Sequence, residues 1–272
     1  MPISLQNKVV LITGASSGFG ADAARLFAKE GCTVVLAARR MDRLTALAEQ
    51  IREAGGQAFA VGLDVAEESQ INEAVQTVLD TFGRIDILFN NAGMGHLDWL
   101  ENLPPSDFDR IIDINLRGFM LVTHAVLPGM LSRRSGTIIH MSSVAGLIAA
   151  PMYSLYAATK YGIRGFTDAL RREAEPLGVH VCGIYPGPAV TELTMDSPSD
   201  RAVKRMLNPP GWIYMSSTYV ARRVVGLAKH PCRTLIIPWW FRPIIGFDTL
   251  FPGLVDWFLK VTLVKRFHLY QA

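Results

Sequence analysis

Tyr156 and Lys160 stand four positions apart in the stretch YAATK. If that stretch is helical, the two rise about 6 Å along one face and their side chains can reach the same point. A phenol with an ordinary pKa of about 10 is a poor acid or base at neutral pH. Lowering it by about 3 units requires roughly 4 kcal/mol of preferential stabilisation of the phenolate. An adjacent ammonium has the right sign to contribute, so the chemistry this pair offers is proton transfer to or from an oxygen. Two such residues would also suit a solvated helix face, and by themselves they decide nothing.

A second stretch, TGASSGFG at Thr13 to Gly20, carries two motifs at once. Read through Gly14, Ser16 and Gly18 it is a nucleophile elbow. Read through Gly14, Gly18 and Gly20 it is a glycine-rich phosphate cradle. Both occur where a strand turns into a helix, so position in the chain has to separate them. A hydrolase elbow needs several strands ahead of it to build the sheet and its oxyanion hole, whereas this motif follows the first strand-like run. In a dinucleotide-binding fold the first βα turn is where the cradle belongs. Gly14, Ser16, Ser17, Gly18, Phe19 and Gly20 are therefore assigned to a cofactor, with a turn that is glycine-rich for geometry alone as the bland alternative.

About 20 residues beyond the cradle, a chain selecting NAD(H) presents an acidic residue to the ribose hydroxyls. This chain has Ala37 and Ala38 there, followed by Arg39 and Arg40. With no carboxylate to repel it and guanidinium groups able to fork onto it, a 2′-phosphate is the better guest, which predicts NADP(H) over NAD(H).

These residues need a frame. Short apolar runs recur at 8–13, 32–38, 58–65, 85–93, 136–143, 179–187 and 233–238, separated by amphipathic patterns such as MDRLTALAEQIREAG and ESQINEAVQTVLDTFG. Strands that are apolar throughout, alternating with helices, predict an α/β fold with a Rossmann-like, doubly wound, seven-stranded parallel sheet and helices on both faces. At 272 residues, half of them apolar, one domain over 1–272 accommodates this pattern. Ser143 then closes the fifth strand, at the edge of the sheet where ligands bind.

The wider cradle spacing, taken with NNAG at 90–93, SSVAG at 142–146, YAATK at 156–160 and YPGPAVT at 185–191, resembles the short-chain dehydrogenase/reductase family over residues 8 to about 191. The resemblance implies hydride transfer between NADP(H) and a carbonyl or carbinol carbon, with Tyr156 as acid or base, Lys160 beside it, Ser143 on the substrate oxygen and Asn115 in a proton relay. A capping or packing role is also open to Asn115. It further implies that Asp64 and Val65, then Asn90, Asn91, Ala92 and Gly93, border the adenosine side of the cofactor. Pro186, Gly187, Val190 and Thr191 would border the nicotinamide. Ser142, the neighbour of Ser143, is read as structural. A homodimer or homotetramer is the family's usual assembly.

The remaining features bound the setting. Cys32, Cys182 and Cys232 are scattered without C-x-x-C pairing, which fits a reducing compartment and no metal site. His124 and His140 read as structural histidines. The N-terminus has no signal-peptide pattern, which predicts a cytoplasmic protein. A net charge of +3 is too small to imply a nucleic-acid partner. Residues 233–272 carry nine of the chain's 25 aromatics, with five Arg/Lys against two Asp. From 238 onward this is a hydrophobic C-terminal extension, open to three readings: an arm roofing the site or joining subunits, a peripheral membrane contact, or an arm that recruits another protein. With Met195, Met206, Leu207 and Trp212 in the segment before it, the expected substrate is a lipophilic carbonyl or alcohol, fatty, steroid-like or retinoid-like. A cofactor-binding sensor without turnover is the rival to an enzyme.

Overall fold

Strand β1 (Val9–Thr13) is buried along its whole length, as the centre of a sheet covered on both faces requires. The side chains of Val10 and Ile12 enter one apolar layer and those of Val9 and Leu11 enter the other. That alternation follows from the period of two along a strand. The computed structural model describes residues 2–95, 98–190, 192 and 211–264.

Seven strands form the sheet: β1, β2 (Thr33–Ala38), β3 (Gln57–Gly62), β4 (Ile87–Asn90), β5 (Gly136–Met141), β6 (Val179–Pro186) and β7 (Thr234–Ile237). Their order is β3-β2-β1-β4-β5-β6-β7, and every neighbouring pair is parallel. The chain moves outward from β1 to β3 and then returns to the other side of β1 with β4. The topological switch therefore lies between β1 and β4, and the crevice at their carboxyl ends is the place for a ligand.

Helices α1 (Gly18–Lys29) and α2 (Met41–Glu53) cover one face of the sheet together with α7 (Ser217–Lys229). Helices α3 (Glu68–Phe82), α5 (Phe119–Ser132) and α6 (Ser154–Ala174) cover the other. A short α4 (Pro105–Ile112) runs through a π turn (Asp113–Gly118) straight into α5. The run 105–132 is long and apolar enough to cross a bilayer by length and composition. Its residues Ile114, Val122, Val126 and Met130 pack instead into the core beneath the sheet.

Two strand ends depart from the sequence expectations: β5 ends at Met141, so Ser143 lies beyond the strand that it was expected to close. Strand β3 ends at Gly62, so Asp64 and Val65 lie beyond the strand, although the Leu63 N–H still donates to Ala38 O at 3.0 Å. The extension folds into α8 (Phe241–Leu250), α9 (Pro252–Leu259) and a closing π turn (Lys260–Val264). Neither α8 nor α9 buries a residue, and Trp239, Leu250 and Trp257 are 72, 72 and 65% exposed.

Candidate active site

The β1–α1 turn is built by glycines for steric reasons. Gly14 has φ +66°, and a Cβ on it would stand 3.0 Å from both Ala92 Cα and the Asn91 amide nitrogen. A Cβ on Gly20 would fall inside the Gly14 carbonyl, so the helix could not approach the strand as closely. Gly18 has φ +53°. Ser17 precedes α1 in an extended conformation without capping it by its side chain, so that hydroxyl leaves the first-turn N–H groups to another acceptor. Thr13 joins this turn to the end of β4, accepting at its hydroxyl from the N–H groups of Asn91 and Ala92, both at 2.9 Å. A close backbone approach with a free helix N-terminus is what a pyrophosphate requires, so the residues present fit a dinucleotide.

Arg40 spans the same turn. Its Nε and Nη2 donate to Ser16 Oγ at 3.1 and 2.9 Å, and Nη2 donates to Ser17 Oγ at 2.8 Å. Arg39 instead faces Asp64 at 3.7 Å. Asp64 also accepts from the Ala66 N–H at 3.1 Å, which fixes it just past β3. Val65 is buried in the core and Phe19 packs against the α1–α2 layer. Val190 is exposed and its N–H donates to Met215 O. Asn90 is fully buried, donating to Phe119 O and to Thr123 Oγ1, so it ties β4 to α5.

At the carboxyl ends of β5 and β6 the residues expected to handle the proton converge. Ser143 leaves β5 in an extended conformation, and its Oγ accepts from the Ala145 N–H at 3.1 Å. The same hydroxyl hydrogen-bonds Tyr156 and lies 3.5 Å from Pro186 O. Tyr156 and Lys160 share one face of α6, with Lys160 Nζ 5.5 Å from the centre of the Tyr156 ring. Nζ donates to Met141 O at 3.4 Å and passes beside Gly93, where a Cβ would be 3.7 Å from it. Ser142 points away and donates to Lys160 O at 3.1 Å, so it is structural as the alternation of an extended chain predicts.

The electrostatics differ from the sequence expectation. Burial pushes the Tyr156 phenol up to about 12, with the Ser143 hydrogen bond acting in the opposite direction and Tyr153 adding to the rise. Burial also lowers the Lys160 ammonium to about 8. The half-buried phenol loses hydration when it ionises, which favours the protonated form. At neutral pH the Tyr156 phenol therefore carries its proton.

Asn115 lies in the π turn and is fully buried. Its Oδ1 accepts from the Met94 N–H at 2.7 Å, and Nδ2 donates to Met94 O at 2.8 Å and to Thr159 Oγ1 at 3.4 Å. Thr159 in turn donates to Tyr156 O. The side chain therefore positions the loop after β4 against α6.

Sequence reasoning missed Arg43 and Glu192. Arg43 Nη1 binds both oxygens of Glu192 at 2.8 and 2.9 Å, and Arg40 Nη1 binds one at 2.9 Å. Arg43 is three residues after Arg40 and so on the same helical side, a signal that could have found it. Glu192 is 152 residues from Arg40, and no local pattern reveals such a pair. Thr191 and the expected lining residues Met195, Met206 and Leu207 lie outside the described residues, as does the side chain of Trp212. Gly187 is pressed by the extension, since a Cβ there would meet the Phe241 ring at 2.5 Å.

Comparison with known proteins places this geometry among relatives. The family model described as short chain dehydrogenase matches residues 8–202. A 3-oxoacyl-[acyl-carrier-protein] reductase of Thermotoga maritima is 37% identical over 194 residues, covering 71% of this chain and 79% of its own. The crystal structure of a Burkholderia phymatum short chain dehydrogenase/reductase in complex with NAD superimposes with a TM-score of 0.85. It covers 93% of this chain and 96% of its own at 23% identity, a likeness of fold. An actinorhodin polyketide ketoreductase variant solved with NADPH gives a TM-score of 0.77 at 30% identity, covering 85% of this chain and 95% of its own.

Proposed function

The chain belongs to the short-chain dehydrogenase/reductase family and is an NAD(P)-dependent oxidoreductase, and from that premise we propose that it reduces a lipophilic ketone or aldehyde with NADPH. The observation that carries the reading is the convergence of Ser143, Tyr156 and Lys160 at the carboxyl ends of β5 and β6, with Arg40 held across Ser16 and Ser17 on the cofactor side.

When bound, the nicotinamide supplies or takes up the hydride. Tyr156 donates its proton to the substrate oxygen, and Ser143 hydrogen-bonds that oxygen as negative charge develops, each such donor contributing about 3 kcal/mol. Lys160 contributes positive charge beside the phenol, and Asn115 positions the loop that backs it. Gly14, Ser16, Ser17, Gly18, Phe19 and Gly20 hold the pyrophosphate. Arg39 and Arg40, standing at the end of β2 in place of an acidic residue, would take the 2′-phosphate. Asp64, Val65, Asn91, Ala92 and Gly93 border the adenosine, while Pro186, Gly187, Val190 and Thr191 border the nicotinamide.

The apolar substrate is supported by the ketoreductase relatives and by the aromatic extension, whose Phe241 lies against the Gly187 turn. We assign residues 1–272 to one catalytic domain that works as a cytoplasmic homodimer or homotetramer. The exposed Trp239, Leu250 and Trp257 supply an apolar surface for a second subunit or for peripheral contact with lipid. Flotation with liposomes and sedimentation of the protein alone, each repeated on Leu250→Ser/Trp257→Ser, separate those two partners.

The reading is tested by following nicotinamide absorbance with ketones and aldehydes of rising chain length, using NADPH or NADH, with Tyr156→Phe in parallel. The expected result is NADPH-dependent turnover that grows with chain length and is lost in Tyr156→Phe. Faster turnover of small polar ketones would overturn the substrate class. Tight NADPH binding without turnover across the panel would favour a cofactor sensor.

A further inference from the structure

Arg40 divides its guanidinium between two sets of partners. One side holds the hydroxyls of Ser16 and Ser17 in the cofactor turn, and Nη1 holds the carboxylate of Glu192. Arg43 holds both oxygens of the same carboxylate from the next turn of α2. The two guanidiniums are thus oriented toward a single anion, and the anion they now hold belongs to the chain itself. They keep the Glu192 carboxyl below the usual carboxylate range, through the Arg40 hydrogen bond first and the Arg43 bond second.

We propose that Glu192 is a specificity-determining residue for the cofactor: its carboxylate occupies the Arg40–Arg43 pair that a 2′-phosphate needs, so NADP(H) must displace it and NAD(H) need not. Arg43 then becomes a second guanidinium of the phosphate site once Glu192 has left. This inference rests on the assignment of the 2′-phosphate to Arg40.

The chemistry favours exchange over permanent pairing. Glu192 and both arginines are between two-fifths and one-half exposed, and pairs of that kind are weak and screened by salt. A phosphate monoester carries nearly two charges and three acceptor oxygens, against one charge and two oxygens on the carboxylate. It therefore competes successfully, but its net affinity is reduced by whatever Glu192 contributed. A dinucleotide without that phosphate leaves the Glu192 contacts intact.

The test measures the dissociation constants of NADPH and NADH by quenching of tryptophan fluorescence in the full chain and in Glu192→Gln, Arg40→Met, Arg43→Met and the double variant Glu192→Gln/Arg43→Met. Glu192→Gln keeps the shape and removes the charge. It should tighten NADPH roughly 3–10-fold and change NADH by less than about twofold, with the gain shrinking as salt is raised. Arg43→Met should weaken NADPH about 10-fold, and the double variant should show little of the gain, because Glu192 acts through the arginines.

Unchanged NADPH affinity in Glu192→Gln, in a protein that otherwise prefers NADPH, would overturn the inference. Weaker NADH binding in the same variant would also overturn it, by making the carboxylate a ligand of the ribose hydroxyls. If the unaltered protein takes both nucleotides equally and Arg40→Met changes neither, the NADP(H) assignment falls. The inference falls with it, because Glu192 would then guard a phosphate site that Arg40 does not form; an NADPH preference lost in Arg40→Met but unchanged in Glu192→Gln overturns the inference alone.

Discussion

Asn115 holds Met94 at both of its backbone groups, accepting from its N–H at 2.7 Å and donating to its carbonyl at 2.8 Å. An amide side chain can do both at once because it carries a donor and an acceptor on one plane. Aspartate cannot, since its second oxygen would face the Met94 carbonyl. Asn115→Asp is expected to destabilise the fold by about 1–3 kcal/mol, the cost of a buried polar group facing the wrong partner. It should also lower turnover, because Met94 follows the Gly93 position that backs Lys160. Denaturation midpoints checked against activity test this, and a variant as stable and active as the parent would reject it.

Lys160 is predicted to set the upper pH limit of reduction. With Tyr156 protonated up to about 12, the group titrating nearest to neutrality is Lys160 at about 8. The rate of carbonyl reduction should fall as pH rises through about 8, and Lys160→Arg should move that fall to higher pH. A flat profile to pH of about 10 would contradict the assignment. The same shift has a stability consequence. The folded pKa lies below the unfolded value of 10.5, so stability rises with pH between 8 and 10.5, and below 8 the full cost of the buried charge is present. That cost is roughly 3 kcal/mol at neutral pH. Lys160→Met should therefore unfold at a higher temperature than the parent while losing turnover, a combination that calorimetry and an activity assay would detect.

His140 supplies an acid-sensitive element away from the chemistry. It is fully buried between the hydroxyls of Thr123 at 3.1 Å and Thr167 at 2.8 Å, with Phe119 and Phe166 against its ring. Burial lowers its pKa from 6.5 to about 3. The unfolded chain takes up a proton below 6.5 and the folded one does not, so stability present above pH 6.5 is lost as pH falls toward 3. The expected slope from this group is about 1.4 kcal/mol per pH unit. Urea unfolding at neutral and mildly acidic pH should show it, and His140→Asn should reduce the slope. Equal slopes in both proteins would assign the acid sensitivity elsewhere.

Gly187 connects the extension to the site. Gly187→Ala would drive a methyl group into Phe241, and overpacking of that kind costs about 1–3 kcal/mol. Because the β6 turn also precedes Val190, the strain should raise KM for substrate and cofactor, and Phe241→Ala in the same chain should relieve it. No difference between the single and double variants would separate the extension from the site.

Much of this was legible in the residues. Seven apolar runs predicted seven parallel strands because strands covered on both faces must be apolar throughout, and the glycine turn follows the first of them as expected. Tyr156, Lys160 and Ser143 converge as a four-residue helical step and a strand end require. The rise in the phenol pKa of the chain by itself was not legible, because the desolvation of Tyr156 depends on packing from β5, α6 and the loops around them. Glu192 was missed because it meets Arg40 across 152 residues, a distance no local period encodes. Asn115 was noticed as an asparagine within a helix, but its grip on Met94 depends on a π turn that its own residues do not announce.

The bond from Ser142 to the Lys160 carbonyl, with Gly146 packed so tightly there that a Cβ would overlap that carbonyl, joins the end of β5 to α6 within nineteen residues of chain. Residues 142–160 therefore tie Ser143 and the Tyr156–Lys160 pair together with contacts of their own. The molecule thus has a chassis and a fitting: the aromatic extension, whose helices α8 and α9 bury no residue, is the part to rewrite for a different guest. For engineering, diversity is best concentrated in residues 239–264, with positions 142 to 160 left alone.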